Sequence, residues 1–101
     1  MENREIKYEK KFSMVQITNG VNYARFLAER GNISNDELNM VVLAKINLTS
    51  ESGASDNEMN LLNNWAEQAD DVLQGNFIME NKDTTEKYVK NFKEYLEKNN
   101  K

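Results

Sequence analysis

Seven carboxylates carry the chemistry most open to this chain. Glu51, Asp56, Glu58, Glu67, Asp70, Asp71 and Glu80 lie in a stretch with no lysine or arginine between Lys45 and Lys82. Carboxylates can exchange protons in pairs, hold a divalent cation, or offer negative charge to a cationic partner. The first use needs two acids converging in a pocket with their pKa values pushed apart, and no pair here has a recognisable spacing for that. The second has one superficial candidate, the oxygen-rich segment Glu51-Ser52-Gly53-Ala54-Ser55-Asp56-Asn57-Glu58. It lacks the alternating Asp/Asn register, the glycine in sixth place and the distal glutamate of a calcium loop, so no metal is expected.

The third use remains. Glu67 and Asp70/Asp71 are three and four residues apart, which on a helix sets their side chains on adjacent turns ~5–6 Å apart. That is close to the spacing of phosphates along a nucleic-acid strand, so such a face suits the basic groove of a protein that handles nucleic acid. Long-range attraction would speed the encounter and weaken with salt. The competing reading is that these acids are solvated caps and outward faces, partly neutralised by lysines near the C-terminus.

Other chemistries are poorly supplied. Histidine and cysteine are both absent, which removes the commonest acid–base group, the thiolate nucleophile, disulfides and most zinc sites. No nucleophile and base stand at a familiar spacing, so neither a catalytic residue nor a cofactor is expected. No run approaches the ~20 apolar residues of a membrane span and no signal peptide is evident, which predicts a cytoplasmic protein.

The elements that must position the acids follow from length and periodicity. The chain has 101 residues, enough for one domain with a modest core, and 39 % of them are hydrophobic at mostly helical spacing. Proline is absent, so helix limits must be read from caps and glycines. Ser34–Glu37, Ser55–Glu58 and Asp83–Glu86 have the form of N-terminal capping signals. The helix after Ser34 runs to about Leu48 with Leu38, Val41, Val42 and Ala44, and its apolar residues wrap more than one face, which predicts the most buried element. The helix from Asp56 to Gln74 carries Met59, Leu62, Trp65, Ala66, Ala69 and Val72 as a stripe and stops at Gly75. The last helix places Tyr88, Val89, Phe92, Tyr95 and Leu96 on one face and should dock by its aromatics.

Upstream, Val21, Ala24, Leu27 and Ala28 define a helix that ends at Gly31. Ser13–Gln16 could start it early, but Thr18-Asn19-Gly20 reads as a break. If the break holds, residues 6–17 can extend as a strand, with Ile6, Tyr8, Phe12 and Met14 in alternation, pairing near residues 77–79.

Three further binding features have sharper and duller readings. Lys87, Lys90, Lys93 and Lys98 beside Tyr88, Phe92 and Tyr95 could bind nucleic acid, but the lysines alternate with glutamates and the aromatics form a core stripe. Tyr23–Gly31 followed by the helix after Ser34 has the rhythm of a helix-turn-helix. Its second helix, however, begins with Asp36 and Glu37 and continues with Met40-Val41-Val42-Leu43-Ala44, which suits a core better than a major groove. Leu61 lies off the main stripe and, with Phe77 and Trp65, offers a surface for self-association or a partner, although Trp65 at stripe spacing belongs in a core.

The sequence therefore predicts an all-α, single-domain bundle of about four helices over residues 1–101, with an α+β fold as the alternative. Function is read as non-enzymatic binding: a small regulatory or inhibitory protein docking on a basic surface of a partner protein through Glu51, Asp56, Glu58, Glu67, Asp70, Asp71 and Glu80, helped by Leu61 and Phe77. Small acidic inhibitors of phages and mobile elements, DNA mimics among them, are similar in size, charge and Asn/Lys-rich composition. Direct nucleic-acid binding by a helix-turn-helix and a homo-oligomeric structural role, a homodimer among its forms, are the alternatives.

Overall fold

Three serines and an asparagine start the four helices. The computed structural model describes residues 10–76 and 81–99, and these form α1 (Met14–Glu29), α2 (Asn35–Leu48), α3 (Asp56–Gln74) and α4 (Lys82–Asn99), with no strand among the described residues. Ser13 and Ser55 make reciprocal boxes. The Gln16 N–H donates to the Ser13 hydroxyl (3.2 Å) and the Ser13 N–H to the Gln16 side chain (2.9 Å), while Glu58 and Ser55 do the same at 3.1 and 2.9 Å. The Ser34 hydroxyl accepts from the Glu37 N–H (3.1 Å). At α4 the cap differs from the expectation: Asn81 Oδ1 accepts from the Thr84 N–H (2.8 Å), and Asp83 sits inside the first turn, where its charge still suits the positive helix end. α3 ends at Gly75 with φ 70°, and the Asn76 N–H closes the last turn onto the Asp71 carbonyl (2.9 Å).

The expected break at Thr18-Asn19-Gly20 does not occur. Met14–Ile17 belong to α1, which runs straight through the three residues. Gly20 serves packing rather than turning. A Cβ built on it would stand 2.6 Å from the Ala66 nitrogen and 2.7 Å from the Trp65 carbonyl carbon, so its missing side chain is what lets α1 and α3 cross at backbone distance. The strand alternative thus fails for the residues from 10 to 17. Ile6, Tyr8 and residues 77–79 lie outside the described residues.

α1 and α3 form the centre. Ile17, Val21, Ala24, Phe26 and Leu27 pack against Met59, Leu62, Trp65, Ala66, Ala69 and Val72. α4 docks on this pair through its aromatics, as its periodicity predicts: Phe92 is fully buried and its ring lies 5.0 Å from Tyr23 and 5.4 Å from Phe26, centre to centre. The Tyr23 and Tyr88 hydroxyls share a hydrogen bond (2.9 Å), which satisfies both polar tips inside the aromatic cluster. Arg30 closes its edge, with the guanidinium carbon 5.0 Å from the Phe26 ring centre and 5.6 Å from that of Tyr88.

α2 overturns the expectation that it is the most buried element. It buries only Val41 and Ala44, against eight buried residues in α1. Met40, Leu43 and Ile46 stay 61 %, 54 % and 57 % exposed. α2 packs on the outside of the α1–α3 pair and touches both, so its inner side is covered and its outer side meets water.

Candidate functional site

The outward side of α3 is made of acids and amides. At ~100° per residue, Asp56, Asn60, Asn64, Glu67, Asp71 and Gln74 fall in the sector opposite the buried stripe, and apart from half-buried Asp71 they are exposed. Asp70 borders the sector and accepts a hydrogen bond from the Gln74 side chain (3.0 Å). No lysine or arginine occurs in α3, so this strip of ~28 Å has no positive charge of its own. Of the predicted acids, the structure brings together Glu67, Asp70 and Asp71, while Asp56 shares their side of α3 but stands ~16 Å away along the axis. Glu51 is exposed in the turn between α2 and α3. Glu80 and Phe77 lie outside the described residues.

Glu58 does a different job. It is on the opposite side of α3, where one oxygen accepts from the Ser55 N–H and the other from the Asn47 amide (2.6 Å). The backbone hydrogen bond first, and the Asn47 amide second, hold its carboxyl below the ordinary 4.5. Glu58 thus caps α3 and ties it to α2. Trp65 is 4 % exposed, which removes it from the proposed Leu61–Trp65–Phe77 surface, while Leu61 is half-buried.

One edge of the acidic strip is bordered by cations from elsewhere in the chain. The Lys11 N–H donates to Asn63 Oδ1 (3.2 Å), one turn before Glu67, so exposed Lys10 and Lys11 sit alongside this part of α3. The other edge, through Asn57, Asn64 and Gln68, leads to Leu61 and α2 without a positive charge among the described residues.

Sequence reasoning missed three features. Met40, Leu43 and Ile46 form an outward stripe on α2, and the available signal was that apolar residues on several sides of a helix exceed what one neighbour can cover. Between α1 and α2 lies a groove of about 250 Å³ lined by Thr18, Arg25, Val42, Lys45 and Ile46. A larger groove of about 810 Å³ runs between the end of α3 and α4, with Leu73 and Val89 at its base and Lys82, Lys90, Lys93, Glu86 and Glu94 around it. Its rim has both signs of charge, so it selects for neither.

No protein-family model, curated protein or solved structure matches the chain. The site's chemistry therefore rests on its own residues. Among the described residues no three carboxylates are grouped to hold a metal ion, and no helix is long and apolar enough to cross a membrane. What the α3 strip can do is attract a cationic surface and orient it along the helix axis.

Proposed function

We propose that this chain is a small non-enzymatic regulatory or inhibitory protein of the cytoplasm. It binds a basic surface of another protein, one that handles nucleic acid, through the outward side of α3. The supporting observation is that α3 presents Asp56, Glu67, Asp70 and Asp71 with only amides between them and no cation. A groove built to hold phosphates at successive positions meets Glu67 and Asp70/Asp71 at a similar pitch, and the encounter is accelerated by opposite potentials. Duplex binding by α1 and α2 is the weaker reading, because the side of α2 that faces water carries Met40, Leu43 and Ile46 rather than phosphate-seeking residues.

The test is the variant Glu67→Lys/Asp70→Lys/Asp71→Lys. Helicity by circular dichroism should be unchanged, since all three positions are at least partly solvated. Capture of basic nucleic-acid-handling proteins from the host extract should fall by about tenfold at low salt and converge with the wild type at high salt. Equal capture by both proteins at low salt would remove the acidic side from the account.

A further inference from the structure

We infer that the outward stripe of α2 and the neighbouring edge of α3 together form a docking ledge for one amphipathic helix of the partner, with lysines or arginines along the edge that faces α3. This rests on the proposed acidic reading of α3 and adds the apolar half of the contact and the shape of what fills it.

The stripe is built like a receptor for a helix. Met40, Leu43 and Ile46 are spaced three residues apart over ~9 Å of α2, and each keeps more than half of its surface in water. The Asn47–Glu58 hydrogen bond identifies the side of α2 that adjoins α3. Met40 lies two turns before Asn47, and Leu61 lies one turn after Glu58, so both border the same seam. Crossing that seam outward leads from apolar side chains to Asn57, Asn64 and Gln68 and then to Glu67 and Asp71. On the far side of the stripe, the α1–α2 groove holds Arg25 and Lys45. The ledge is therefore apolar over Met40, Leu43 and Ile46, with exposed Asn39 and Asp36 at its N-terminal end, anionic on the α3 border and cationic on the other. A helix seated on it gains by turning its cations to α3 and loses by turning them to Arg25 and Lys45.

The same features argue against a second copy as the occupant. The three side chains expose on the order of 300 Å² of apolar surface, in the range of a functional patch but well short of the ~800 Å² each partner of a stable interface commonly buries. Two copies would also bring two chains of net charge −4 together.

The probe is a designed 18-residue helical peptide with a leucine stripe flanked by lysines, titrated into the isotope-labelled full-length chain and followed by amide chemical shifts. Saturable shifts are expected at Met40, Leu43, Ile46 and Leu61 and along α3 from Glu67 to Asp71. A control peptide with serine in place of leucine should shift α3 alone and bind at least about tenfold more weakly. In the protein, Met40→Ser/Leu43→Ser/Ile46→Ser should weaken the leucine peptide by a similar factor with an unchanged spectrum elsewhere. If it binds the peptide as the wild type does, the ledge is overturned and the acidic reading stands. If instead Glu67→Lys/Asp70→Lys/Asp71→Lys leaves the affinity unchanged while the serine variant abolishes it, the acidic reading itself is overturned. A concentration-dependent dimer in sedimentation that the serine variant dissolves would replace the proposed occupant with a second copy.

Discussion

α1 and α2 are similar helices with opposite fates. Both are capped by a serine, both are rich in large apolar residues, and they follow one another in the chain. Yet α1 is enclosed on most sides and α2 on one. The difference lies in what each can approach. α1 carries Gly20, which admits the α3 backbone, and Tyr23 and Phe26, which receive the aromatic face of α4. α2 offers Val41 and Ala44 to the seam between α1 and α3, and no further element among the described residues covers Met40, Leu43 and Ile46. Apolar content thus states what a helix would tolerate burying, and backbone access decides what it does bury.

The largest effect that would break this comparison comes from truncating matched side chains. Ile17 in α1 is fully buried, so Ile17→Ala should cost about 3 kcal/mol in urea unfolding, whereas Leu43→Ala in α2 should stay within about 0.5 kcal/mol. Equal losses would mean that α2 is enclosed as α1 is. The next effect is Gly20→Ala. The new methyl meets backbone atoms that cannot rotate away, so the gain in helix propensity is outweighed and a net loss of about 2 kcal/mol is expected, read as a fall in Tm of about 10 °C. An unchanged or raised Tm would show that the close crossing of α1 and α3 is not what orders them.

A smaller effect sharpens the aromatic side of α1. Burial, followed by the hydrogen bond with Tyr88, pushes the Tyr23 hydroxyl well above its ordinary 10.0, and burial followed by Glu29 pushes Tyr95 up to about 12. A tyrosine whose folded pKa is raised contributes stability that is complete below the unfolded value and declines as pH rises beyond it. Tm should therefore hold from pH 8 to about 10 and then fall, and Tyr23→Phe should flatten part of that fall. A decline that Tyr23→Phe leaves untouched would place the alkaline sensitivity elsewhere.

Much of the fold was legible because caps and stripes are local. Ser55, the Met59–Val72 stripe and Gly75 delimit α3 from Asp56 to Gln74 as its sequence implies, and Phe92 with Tyr88 dictates how α4 docks. The errors came where a residue answers to a distant neighbour. Gly20 resembles a turn until Ala66 and Trp65 are placed against it. Met40, Leu43 and Ile46 resemble core until the neighbours of α2 are counted. For the site, Glu67, Asp70 and Asp71 share a side because helical spacing is local, while Glu58 shares only their charge: it accepts from the Ser55 N–H and the Asn47 amide, which turn it the other way.

Trp65, the chain's single tryptophan, is enclosed between α1 and α3 with its ring 5.9 Å from that of Tyr23. Excited tyrosines at such range hand their energy to the indole, so the emission of the whole molecule reports one internal crossing. A ligand resting on α2 would leave that light nearly unchanged, and unfolding would alter it at once, giving an intrinsic optical gauge that tells occupancy apart from collapse.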